Sequence, residues 1–148
     1  MSIAQTATTS FKVELLQAIH NFGPASPNTF KIALYTAEAS IGPATTVYDT
    51  SYEVVGTGYT AGGNTLVINP TPTYGISTGG IPVAYISFDT TSWANASFTA
   101  RGALVYNSSQ GNKSVAVLNF GADKTASNST FTITFPTPDA NNAIVRIL

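Results

Sequence analysis

One segment of this chain has helical periodicity and almost everything after it alternates with period two, which confines the fold to an antiparallel β architecture with a single helix. In SFKVELLQAIHNFGP the apolar residues Phe11, Leu15, Ala18, Ile19 and Phe22 fall at i, i+4, i+7, i+8 and i+11, one stripe of a helix. Ser10 is a plausible N-cap and Gly23-Pro24 stops the pattern, so a helix is expected over 11–22. Beyond it, TFKIALYT (29–36) sets Phe30, Ile32 and Leu34 against Lys31, Ala33 and Tyr35, and TFTITFP (130–136) sets Phe131, Ile133 and Phe135 against threonines. Further strands are expected over 52–56, 64–69, 82–88, 97–106, 114–120 and 142–148.

The connectors GPASPN, NPTPTYGISTGG, NSSQGN and GADKTASNS are turn-rich and hold no helix, whereas a parallel sheet needs helical crossovers. The fold class is therefore mainly β: an antiparallel β-sandwich or barrel of about eight strands with one N-terminal α-helix. ASFTARGALVYNSSQGNKSVAVLNF reads as a hairpin with its loop at 107–113, and both faces of its strands are apolar. The second face needs a cover, which the helix or a neighbouring subunit would supply. With 148 residues the chain suits one domain over 10–148, preceded by a polar arm at 1–9 expected to reach a partner. The connections 37–51 and 70–81 show little pattern and are expected as surface loops or as arms packing on partners.

Charge narrows the function. Six Lys plus Arg and seven Asp plus Glu make 9% of the residues charged, against about 25% in ordinary domains. A surface so poor in charge meets another uncharged surface at little desolvation cost, which favours extensive contact with partners or with copies of itself. The net charge is −1 and the basic residues are scattered, so there is no stripe for nucleic-acid phosphates. No segment approaches the roughly 20 apolar residues of a membrane span, and the N-terminus has no signal-peptide pattern. Four N-x-[ST] sequons, at Asn95, Asn107, Asn112 and Asn128, read as turn residues.

Residues that could carry chemistry are few. Cysteine is absent and His20 is the lone histidine, so thiol catalysis and a cysteine- or histidine-rich metal site are excluded. His20 is expected to pack or to cap the helix end. Glu53, Asp89, Asp123 and Asp139 could in principle pair as catalytic carboxylates, but each lies at a strand edge or turn where acids usually cap backbone donors. No serine has a G-x-S-x-G elbow, and no loop has the spacing of a calcium site. VVGTGYTAGG (54–63) lacks the spacing of a dinucleotide fingerprint and the lysine of a P-loop, so its glycines are expected to shape a turn or bulge. No enzyme activity, cofactor or metal is expected. Tyr48, Tyr52, Tyr59 and Tyr74 are candidate interface residues, because tyrosine is enriched at subunit contacts. Trp93, Tyr74 and Tyr48 could instead form a stacking platform for a sugar, although Trp93 reads better as a core anchor.

FKVELLQAIHNF with NTFKIALYT, YEVVGTGYTAGGNTL, SWANASFTARGALVYN and KSVAVLNFGADKTASNSTFTITFP together resemble small structural proteins of tailed bacteriophages, found beside head and tail genes. The resemblance runs from about residue 11 to 148, and GTGYTAGG and TARGALVY are its most specific parts. It implies a virion component without catalysis, assembled in the host bacterial cytoplasm. Head decoration proteins of this kind are often small β-rich trimers that cement capsomers. The resemblance thus implies a homotrimer contacting the major capsid protein or neighbouring virion proteins. A tail component such as an adaptor, tube or baseplate subunit, or a carbohydrate- or receptor-binding module, is the alternative.

Overall fold

The computed structural model describes residues 2–148. It is mainly β and sandwich-like, with antiparallel sheets of five and three strands and one short N-terminal helix. The elements are β1 (Thr6–Ala7), α1 (Thr9–Leu16), β2 (Phe30–Tyr35), β3 (Asn64–Thr65), β4 (Thr73–Ile76), β5 (Pro82–Ile86), β6 (Thr91–Asn107), β7 (Lys113–Ile133) and β8 (Val145–Ile147). The large sheet has the order β1-β7-β6-β2-β3 and the small one β4-β5-β8.

The β6–β7 hairpin organises the large sheet. Its turn uses a short 3₁₀ segment, Ser108–Gln110, followed by Gly111 and Asn112 at positive φ. The ladder continues far beyond the expected strand ends, because 121–129, which reads as a turn in the sequence, stays in the strand. Gly121 and Asn128, at φ 77 and 47, absorb the irregularity, and the pairing steps from Gly102 with Asn119 to Ala100 with Lys124. Cross-strand contacts in this distal half include the Thr99 and Thr125 hydroxyls at 2.7 Å, Arg101 Nε with Asp123 Oδ1 at 2.8 Å, and Asn128 N–H donating to Ser97 Oγ at 3.0 Å.

Both faces of the hairpin's proximal half are covered by this chain. On one face Phe30, Ile32, Leu34, Ala103, Val105 and Val115 join Phe11, Phe22 and Phe88 in the main core. Phe22 stacks on Phe30 with centroids 4.3 Å apart and meets Phe11 edge-on at 6.1 Å. On the other face Ala33, Tyr35, Leu104, Tyr106 and Val117 pack under Ile3, Ala39, Ile41 and Tyr48. The second cover is therefore the 37–51 connection with the N-terminal segment; the helix serves the main core, and no neighbouring subunit is needed there.

The expected N-terminal arm follows its own sheet. Residue 1 lies outside the described residues, but Thr6 and Ala7 pair with Val117 and Ala116, Ile3 bridges Ile41 and is buried, and Asn119 donates to Ile3 O at 2.8 Å. The physical reason is that Ile3 fills the apolar second face, and Thr6–Ala7 satisfies an otherwise open edge of β7.

The helix is shorter than its stripe. Thr8, extended at φ −68 and ψ 153, replaces Ser10 as the N-cap, and its Oγ1 lies 2.8 Å from Ser114 Oγ. At the other end Ile19 N–H donates to Glu14 O and Ala18 N–H to Leu15 O, a Schellman closure with Ala18 left-handed at φ 59. Ala18 thus occupies a site where glycine is favoured, so Ala18→Gly should raise stability by up to about 1 kcal/mol, read as a higher denaturation midpoint. Phe22 still reaches the core, carried there by a loop.

Candidate functional site

The sequence's two most distinctive features, the glycine run and the tyrosine cluster, meet at one buried carboxylate. Residues 52–54 lie against the end of β2: Glu53 bridges Tyr35, and Val54 N–H donates to Leu34 O at 2.9 Å. Tyr52 is left-handed at φ 63, which reduces the strand expected over 52–56 to this single bridge. Glu53, only 6% exposed, accepts at Oε1 from Tyr59 Oη at 2.6 Å and Gly62 N–H at 2.7 Å, and at Oε2 from Tyr48 Oη at 2.7 Å. Tyr59 Oη also accepts from Leu34 N–H at 2.9 Å, and Tyr106 Oη donates to Gly62 O at 2.7 Å. The Tyr48 and Tyr106 rings stack at 4.6 Å. Three donors on one carboxylate are what a buried acid needs to offset its lost hydration.

The glycines let the backbone close over this acid. A Cβ on Gly56 would come within 2.7 Å of Ser97 O, and one on Gly58, at φ +83, within 2.8 Å of Asn95 O. The run crosses β6 backbone to backbone, with Ser97 N–H donating to Thr57 O at 2.9 Å. It forms a close crossing of the sheet followed by the return into β3, with Tyr59 driven down among Trp93 and Phe98.

The cluster shifts phenol acidity. Burial, reinforced by the Glu53 carboxylate, raises Tyr35, Tyr48 and Tyr59 well above the ordinary tyrosine value and pushes Tyr106 up to about 12. Because the folded values are raised, the fold holds protons that the unfolded chain releases. The associated stability is fully present below about pH 10 and falls as pH climbs toward the folded values, by about 1.4 kcal/mol per pH unit for each such tyrosine. Denaturant titrations at increasing alkalinity should therefore show midpoints dropping steeply above about pH 10.

Of the four tyrosines expected at an interface, Tyr48 and Tyr59 turn inward to Glu53, because the buried acid demands donors. Tyr52 and Tyr74 are exposed, at 53% and 79%. The sugar platform is not assembled: Trp93 is buried against Tyr59 and Phe131, Tyr48 lies on Tyr106, and Tyr74 stands alone on β4. The signal for the Glu53 cluster was present in YEVVG, an acid inside an apolar strand pattern of a chain with few charges.

His20 lies beyond the helix end with its side chain fully buried, between the rings of Phe11 and Phe30. Ser109 N–H donates to Asn107 Oδ1 at 3.1 Å, which turns the Asn107 amide nitrogen toward His20 Nδ1 at 3.0 Å and Asn28 Oδ1 at 2.9 Å. Nδ1 must then accept, so Nε2 carries the proton that faces Glu14 Oε2 at 2.7 Å. Lys113 Nζ is 3.5 Å from the other Glu14 oxygen. Both ring nitrogens of His20 are thus bonded within the fold.

The other carboxylates do not pair with one another. Asp89 accepts from Asn69 and Asp123 from Arg101. The Asn141 and Asn142 backbone N–H groups hold the Asp139 carboxyl below the usual range. Among the described residues, no group of three His, Asp or Glu side chains could hold a metal ion, and no helix is long and apolar enough to cross a membrane. A groove of 640 Å³ beside the cluster has Tyr35, Asp49, Tyr52 and Leu104 in its walls, and one of 580 Å³ runs under the distal hairpin. No family model, curated protein or solved structure matches the chain, so these comparisons lend no support to the bacteriophage resemblance.

Proposed function

We propose that this chain is a non-enzymatic structural protein of a tailed-bacteriophage particle, acting as a head decoration protein that cements the capsid lattice through contacts with sister copies and with the shell. The observation that carries the proposal is where the reactive side chains went. His20, Glu53, Tyr48, Tyr59 and Trp93 are engaged inside the fold, and the chain as a whole is poor in charge, at 9% of its residues. The solvent face of the distal hairpin is Thr-, Ser- and Asn-rich, as in Thr99, Thr125, Ser127 and Asn128, and its charges are Lys124 and the mutually paired Arg101 and Asp123, which suits broad polar contact with a partner surface. The sequence resemblance supplies the particle.

Cementing follows from mass action. A ligand that binds only the closed lattice stabilises it by RT ln(1 + [L]/Kd) at each of many sites, so small energies per site suffice. Each subunit then needs a contact of roughly 1,000 Å² or more, distributed between copies and shell. Gold-labelled antibody on intact particles of the parent phage should decorate the head. Label confined to the tail would refute cementing in favour of a tail component, and absence of label would refute a decoration protein exposed on the head.

A further inference from the structure

The small sheet carries apolar residues on both of its faces, and half of one face is uncovered. One side, with Val83 and Gly75, lies under the 136–144 segment: Ala140 Cβ is 3.3 Å from where a Gly75 Cβ would stand, and Arg146 Nε donates to Ala140 O at 3.0 Å. The other side starts out covered, with Ile86 and Val145 buried near Leu15 and Phe22. Further along the same face the cover ends. Tyr74, Ala84 and Ile147 form one cross-strand row, and Ile76 and Pro82 the next. Tyr74 is 79%, Ile76 61% and Ile147 52% exposed. A nearly all-apolar cleft of 250 Å³, walled by Leu15, Phe22, Pro72 and Ala84, opens at the boundary between the covered and uncovered halves.

An antiparallel sheet with a solvated face normally alternates polar residues outward, and this one does not. From those exposures the five side chains present on the order of 500 Å² of apolar surface, about the apolar share of one partner's roughly 800 Å² in a standard interface. The three strands contain one charged residue, Arg146, which is bonded on the opposite side. An identical chain can therefore approach without like-charge repulsion, and a partner recognised by charge would find nothing to read.

We propose that this open face, centred on Tyr74, Ala84 and Ile147, is where a second copy of this chain docks. The inference rests on the self-association contained in the proposed function and gives that self-association a location. The test is the solution mass of the intact chain by light scattering after size exclusion, for wild type, Tyr74→Lys and Ala84→Lys, with thermal melting as the check on folding. The expected result is a wild-type mass that is a multiple of 15.4 kDa and a single-chain mass for both variants, which still melt in one cooperative transition, lowered only by the lost association. A wild-type monomer at high concentration, or an oligomer that survives both substitutions, would overturn it. The same preparations are then sedimented with phage heads stripped of the protein. A wild-type monomer that binds heads refutes this inference alone. An oligomer disrupted by the substitutions that never binds heads refutes the cement reading alone.

Discussion

Glu53→Ala should destabilise the protein by about 3–5 kcal/mol, since it removes the acceptor from one buried and two part-buried donors at once. Tyr48 Oη, Tyr59 Oη and Gly62 N–H all point at this carboxylate, and the pocket is closed by stacked Tyr48 and Tyr106. Against a total stability of about 5–15 kcal/mol the loss is a large fraction, equivalent to a fall of roughly 6–20 °C in melting temperature. Glu53→Gln keeps one carbonyl oxygen for Tyr59 and Gly62 and offers an amide to Tyr48, whose hydroxyl can turn to accept. It should therefore fall between wild type and alanine in a denaturant series. Tyr59→Phe should cost more than Tyr48→Phe, because only Tyr59 also satisfies Leu34 N–H. Equal, small effects for all four variants would mean the cluster is open to water.

Gly63→Ala is the substitution expected to be least tolerated. A Cβ there would sit 1.7 Å from Ile32 O, and Gly63 is left-handed at φ +71. The contact is with backbone inside the β2–β3 pairing, where Ile32 faces Asn64 and Lys31 faces Thr65, so no side chain can swing aside. Relief requires β3 to leave the sheet and the Gly62 N–H to leave Glu53. A loss of at least about 4 kcal/mol is expected, seen as insoluble expression or as absence of a cooperative transition. Gly80→Ala is the matched control: it also has positive φ, but its Cβ would meet nothing within 4 Å. It should show only the modest cost of the backbone conformation, about 1–2 kcal/mol.

These two positions show how far the sequence was legible. Alternation and turn-rich connectors sufficed for an antiparallel β fold with one helix, because a period of two and the absence of crossover helices are local properties. The apolar stripe brought Phe11 to the core, but Phe22 arrives there by a loop, Ala18 is exposed, and the helix end was invisible. It depends on Glu14 turning inward to His20 and on Ala18 adopting a left-handed conformation, and neither leaves a periodic trace. The distal hairpin escaped for a related reason: GADKTASNS has turn composition, yet in place its Gly121 and Asn128 act as kinks inside a continuous ladder. The double apolar face of the hairpin was legible as a need for cover. That residues 2–8 and 37–51 supply the cover is a long-range fact.

The candidate site was legible only in its ingredients. Tyr48, Glu53, Tyr59 and the glycines are neighbours in the chain, but their convergence depends on Gly62 N–H facing the carboxylate from a loop folded across β6. Interface enrichment of tyrosine competes with the demand of a buried acid for donors. Here the acid takes Tyr48 and Tyr59, while Tyr52 and Tyr74 face outward.

The tyrosines around Glu53 and the glycine run are engaged within the fold, and under the proposed function the outer surface makes the contacts. Tyrosine ionisation followed by ultraviolet absorbance, in parallel with circular dichroism along an alkaline titration, reports whether that enclosure holds in solution. Tyr35, Tyr48, Tyr59 and Tyr106 should ionise together with the loss of β structure, in one cooperative step above about pH 10. Ionisation of all seven tyrosines while the β signal is intact would contradict it, since the cluster around Glu53 would then be open to solvent.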